Sequence, residues 1–104
     1  MHSEYAYARR RKKLIMLTKF DELISDATGR LILRETFIRK DNIILITDDA
    51  KMSQTINESM NITAPVSKVI IEFSGLRREL FVLGSASEVK AKLNFLPGKT
   101  LLHG

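Results

Sequence analysis

The sequence predicts an α+β domain: a small, curved, mostly antiparallel sheet of four to five strands with a C-terminal helix packed on it. Three observations carry that expectation. Five short runs rich in Ile, Leu, Val or Phe recur along the chain, each flanked by charges or turn residues, which is strand patterning by length and composition. The last two runs are joined by Ser74-Gly75, a hairpin signal. Ser85-Ala86-Ser87-Glu88 then reads as a capping box opening an apolar stripe at helical spacing.

The first 13 residues stand apart by charge. Arg9, Arg10, Arg11, Lys12 and Lys13 oppose one acid, Glu4, and leave this segment at net +4, whereas the other 91 residues hold 12 basic and 11 acidic side chains. Residues 1–13 are therefore expected to be a basic arm, and residues 14–104 a single domain with an insertion at about 48–65. The high pI is a property of the arm and says little about the rest. At 104 residues, 44% apolar and 28% charged, the chain has ordinary globular composition and length for one core.

Leu14–Leu17 opens the domain as its first strand run. Asp26-Ala27-Thr28-Gly29 is a turn signal before the second, Leu31–Leu33. Lys40-Asp41-Asn42 separates Phe37-Ile38 from the third, Ile43–Ile46. Between Asp48 and Pro65, Met52, Ile56 and Met60 fall four apart, but Ser53, Thr55, Asn57, Ser59 and Asn61 interrupt any helix; an insertion with a helical turn or two is expected. Val69–Ile71 and Leu80–Leu83 form the hairpin, with Arg77 and Arg78 read as solvated charges beside its turn. In the last helix Ala86, Val89, Leu93 and Leu96 make one stripe, expected to rest on Val69, Ile71 and Phe73, and Pro97-Gly98 ends it.

The hairpin strands are apolar on both faces, unlike strands with one wet side. One helix covers one face only, and the 48–65 segment reads as too polar for a lid. Either the sheet curls until its own strands cover the second face or another subunit does so; the subunit is the favoured expectation, with Ile70, Phe81 and Leu83 in a homo-oligomeric contact.

Chemistry-bearing patterns are sparse. The two histidines are His2 and His103, so no histidine-centred triad or metal site is expected. There is no cysteine, which removes disulfides and thiolate ligands. Asp48-Asp49 reads as solvated or as a helix cap in preference to a cation site. Gly98-Lys99-Thr100 lacks the glycine five residues earlier that a phosphate-binding loop needs; that position is Leu93. The apolar run after the basic cluster is too short for a membrane span. The basic arm is the one strong electrostatic feature. It reads first as a solvated tail whose charges keep the first strand from pairing wrongly. It reads second as a nucleic-acid contact in which Arg9, Arg10, Arg11, Lys12 and Lys13 suit phosphates and Tyr5 and Tyr7 suit base stacking.

Val69-Ile70-Ile71-Glu72-Phe73-Ser74-Gly75, a strand ending in Val82, then Ser85-Ala86-Ser87-Glu88-Val89 and Lys92-Leu93 together resemble the FlbD-like small proteins of flagellar gene clusters and phages. Leu17-Thr18-Lys19-Phe20 is similar to that family's opening strand. The resemblance implies a non-enzymatic accessory role in a bacterial or phage setting and supplies no catalytic residues. The functional expectation is a non-catalytic interaction or assembly module, cytoplasmic or virion-associated, acting through self-association or a protein partner. No cofactor is expected. The alternative is a nucleic-acid binder that uses the basic arm.

Overall fold

A computed structural model describes residues 5–10 and 13–94, with side chains from 16 to 94. In chain order the elements are β1 (Tyr5–Arg10), β2 (Lys13–Ser25), β3 (Leu31–Ile38), a 3-10 turn at Lys40–Asn42, β4 (Ile43–Asp48), α1 (Ala50–Met60), β5 (Val66–Phe73), β6 (Leu76–Leu83) and α2 (Ala86–Asn94). The α+β architecture is as expected. The strands form one open antiparallel sheet; β2 to β6 supply five strands and β1 a sixth.

The 13-residue β2 organises the sheet. It pairs with β1 through Lys13–Thr18, with β3 through Thr18–Ser25, and with β6 through Glu22 and Leu23. Thr18 faces both Tyr5 and Ile38, so β1 and β3 flank β2 on opposite sides. Glu22 faces both Arg34 and Val82, which puts β6 on the β1 side. Beyond β6 come β5 and then β4, an edge strand whose register slips between Ile43 and Leu45. The basic segment is thus not a detached arm throughout, because Tyr5–Arg10 is a strand of the sheet.

Local chemistry sets the turns. Between β2 and β3 the Asp26 carboxylate accepts from the Thr28 hydroxyl (2.6 Å), the Thr28 N–H (2.8 Å) and the Arg30 N–H (3.0 Å), and Gly29 takes a positive φ of 84°. Those donors, the Thr28 hydroxyl foremost and then the Arg30 N–H, hold the Asp26 carboxyl below its ordinary value. A depressed folded pKa stabilises the fold above the ordinary carboxylate pKa, and that contribution is lost as pH falls through the folded value. An NMR titration is expected to place the Asp26 midpoint below that of an ordinary aspartate, and Thr28→Ala to move it back up. A midpoint unmoved by Thr28→Ala would refute this account of the turn.

The β5–β6 hairpin closes in two residues, Ser74 at φ 52° and Gly75 at φ 79°, with Phe73 paired to Leu76. Both central residues at positive φ match the twist of the strands they join. The capping box of α2 is complete: Ser85 N–H donates to Glu88 Oε1 (2.8 Å), and Glu88 N–H donates to Ser85 Oγ (3.1 Å).

The sheet is covered on both faces. On one, Val89 and Leu93 of α2 pack with Phe20, Ile38, Val69, Leu80 and Val82. Ile71 joins this cluster, but Phe73 does not and stays half exposed, so the expected Val69/Ile71/Phe73 seat holds for two residues of three. Leu96, Pro97 and Gly98 lie outside the described residues. Lys92 Nζ sits 5.0 Å over the Phe20 ring, a cation–π contact.

On the other face α1 is the cover, which corrects the expectation that 48–65 is too polar for a lid. It is an 11-residue helix, and Ile56 is fully buried with Leu23 and Val66, flanked by Met52, Met60, Phe81 and Leu83. Its polar residues are compatible with helix because their hydroxyls bond back to carbonyls four residues earlier: Ser53 to Asp49 (3.1 Å), Thr55 to Lys51 (2.9 Å) and Ser59 to Thr55 (2.7 Å). Asp49 caps the start by accepting from the Met52 N–H at 2.9 Å, and Asn61 ends the helix in the left-handed region.

Candidate functional site

The residues expected to carry function fall in three places. Tyr5, Tyr7, Arg9 and Arg10 lie on β1 and Lys13 begins β2, with Tyr7 in register with Met16 and Arg9 with Leu14. Arg11 and Lys12 lie outside the described residues, as do His2, His103 and Gly98-Lys99-Thr100. Phe81 and Leu83 pack beneath α1, so the reason for placing them in a subunit contact disappears. Ile70 lies on the same face beyond the helix, opposite Leu45 and Glu79, and stays half-buried.

Asp48 and Asp49 are both spent on helix starts. Asp49 caps α1, and Asp48 accepts from the Ala86 N–H of α2 at 2.8 Å. They border a cleft of about 500 Å³ with Ser53, Asn57 and Thr63. The polar groups there are engaged with one another or with backbone: Ser53 Oγ accepts from Val66 N–H (2.8 Å), and Asn57 donates to Thr63 (3.0 Å). This cleft is a helix-docking seam with little left to offer a ligand.

A different site lies on the α2 side of the sheet, at the open end of β5 and β6. Two adjoining depressions, of about 420 and 160 Å³, share Asn42, Ile71 and Arg78 and so form one groove. Its outer end is apolar: Phe73 is 51% exposed and Leu76 71%, the two flanking the hairpin turn. A tight two-residue turn holds these side chains out with no added loop length. Exposed apolar side chains adjoining a groove are a frequent mark of a docking surface.

The inner end is polar and cationic. Strand alternation puts Arg34, Glu22 and Arg78 on the face that also carries Phe20, Leu80 and Val82. Glu22, only 4% exposed, accepts from Arg34 Nη2 at 3.1 Å. A carboxylate this deep requires a charged partner, and Arg34 supplies it from the next strand. Arg39, from the link between β3 and β4, gives one Nη to Asp41 at 3.3 Å, a solvent-facing pair of the kind worth about 0–1 kcal/mol. Its Nε is buried with no hydrogen-bond partner. An orphaned buried donor costs about 1–3 kcal/mol. The Arg78 guanidinium makes no hydrogen bond or ion pair with any described residue.

By sequence alone Arg78 reads as a solvated charge beside a turn, and Glu22, Arg34 and Arg39 belong to no motif. The signal that marks two of the four is alternation: Arg78 is two residues from Leu80, and Arg34 four from Ile38, so each lies on a core-bearing face.

Among the described residues no group of three or more His, Asp or Glu could hold a metal ion, and no helix is long and apolar enough to cross a membrane. Compared with known proteins, the chain matches no family model, no curated protein and no solved structure.

Proposed function

We propose that the protein is a non-catalytic interaction module that takes a segment of a protein partner in the groove at the β5–β6 hairpin. The observation that carries the reading is the exposed Phe73/Leu76 pair opening onto a cavity that continues into a row of arginines. An apolar anchor set beside charge is the usual anatomy of a recognition surface: the buried anchor supplies affinity, and the charge supplies specificity and association rate.

Charge favours a protein partner over a second copy. A two-fold contact is isologous, so joining two copies at this groove sets each cationic end against the same patch of the other molecule. An acidic segment meets the arginines with complementary charge instead. Self-association through Phe81 and Leu83 is less favoured, since both are partly buried against the cluster that α1 joins.

Selection of random displayed peptides on the immobilised full-length protein tests this. The expected result is a set of peptides with a large apolar residue, whose binding weakens at least about tenfold on Leu76→Ser, a truncation loss typical of an anchor contact. Leu76 is largely exposed, so the variant should keep its fold. Selected peptides indifferent to Leu76→Ser would overturn the proposal. So would an empty selection accompanied by retention of single-stranded DNA or RNA at about 50 mM salt that fades as salt rises. That second outcome is the one expected of a nucleic-acid binder using Tyr5, Tyr7 and the 9–13 basic cluster.

A further inference from the structure

We infer that the inner end of the groove is a carboxylate pocket that receives an aspartate or glutamate side chain of the partner. The inference rests on the partner-binding reading and names the chemistry that the groove selects. Arg34, Arg39 and Arg78 all line a depression of about 160 Å³ there. Two carboxylates are already present, Glu22 on Arg34 and Asp41 on Arg39. Glu22 stays buried against Arg34 and keeps a fixed negative charge in the lining, which disfavours a phosphate dianion more than a carboxylate monoanion.

The donors point the same way. The Arg78 guanidinium has no partner among the described residues, and Arg39 Nε is buried without one. Arg39 holds Asp41 through a weak surface pair, and Asp41 is mostly exposed. When a carboxylate enters beside Arg78, Arg39 exchanges Asp41 for it and turns its Nε edge outward. The orphaned donor thereby gains an acceptor, and a planar guanidinium edge matches a carboxylate in bidentate fashion. Chain-terminal carboxylates are taken up by successive backbone N–H groups, whereas arginine clusters read phosphorylated or acidic side chains, and the Glu22 carboxylate in the lining favours the singly charged acid. The pocket is built from arginines, so an acidic side chain is its occupant. Phe73 and Leu76 lie at the outer end, which places the partner's apolar residue and its acid along one groove.

The test follows the arginine Nε–H resonances of the full-length protein during titration with blocked glutamate, blocked glutamine and blocked phosphoserine as separate probes. Blocked glutamate is expected to shift the Arg39 and Arg78 signals saturably, with blocked glutamine inert. Arg78→Gln should weaken the glutamate response at least about tenfold, and Arg78→Lys should restore part of it. Equal response to glutamine, no saturable shift, or tighter binding of phosphoserine would each overturn the inference. Displayed peptides that depend on Leu76 but lack acidic residues would overturn it too, while leaving the docking proposal intact. A glutamate response with no peptide selected would do the reverse.

Discussion

Ile56→Ala is expected to destabilise the protein by about 2–5 kcal/mol, among the largest effects available to a single substitution outside the main cluster. Ile56 is the one fully buried side chain of α1, and it seats that helix on Leu23 and Val66. Alanine is the better helix former, so propensity alone would stabilise the variant. Any loss therefore reports the removed contacts and the cavity they leave. Met52, Met60, Phe81 and Leu83 pack around the cluster in which that cavity would open. Glu58→Ala, on the exposed side of the same helix, is the control and should fall within about 0.5 kcal/mol of the parent. Urea denaturation monitored by circular dichroism reads both. If Ile56→Ala and Glu58→Ala left the same midpoint, α1 would not be the cover for the second face, and Phe81 and Leu83 would again need another subunit.

What the sequence reveals of this fold is what local chemistry writes. The hairpin at Ser74-Gly75 and the Ser85/Glu88 cap are each specified within a few residues, so both are legible in the sequence by itself. The helix α1 is obscured because Ser53, Thr55 and Ser59 have low helix propensity on the usual argument that their side chains compete for the backbone. Here the same hydroxyls bond carbonyls within the helix, and tertiary burial of Ile56 outweighs the propensity deficit. The strand β1 is hidden by its own charge: Arg9 and Arg10 draw attention from the Tyr5-Ala6-Tyr7-Ala8 alternation that precedes them. The groove is hidden for a deeper reason. Glu22, Arg34, Arg39 and Arg78 come from β2, β3, the following link and β6, and only non-local strand pairing brings them together. No short window along the chain contains more than two of them.

Leu93→Ala is likewise expected to cost about 2–5 kcal/mol, and for a reason independent of Ile56. Leu93 is 6% exposed and locks α2 onto Phe20, Val69, Leu80 and Val82, on the opposite face of the sheet. The two buried clusters share no residue: β6 gives Leu80 and Val82 to one and Phe81 and Leu83 to the other by strand alternation. Contacts that share no partner add, to within about 0.3–0.5 kcal/mol. The double variant should thus lose about 4–10 kcal/mol, set against a total stability of roughly 5–15 kcal/mol for a domain of this kind. It should sit at or near the unfolding threshold, while each single variant folds. Denaturation of the parent, both singles and the double, in a stabilising osmolyte that keeps the folded baseline measurable, closes the cycle. A coupling energy well above about 0.5 kcal/mol would mean that the sheet transmits packing strain between its faces, and the account of two separate cores on one sheet would fail. Additive losses would fix that account, with α1 and α2 each stabilising its own side and the β5–β6 tip left outside both.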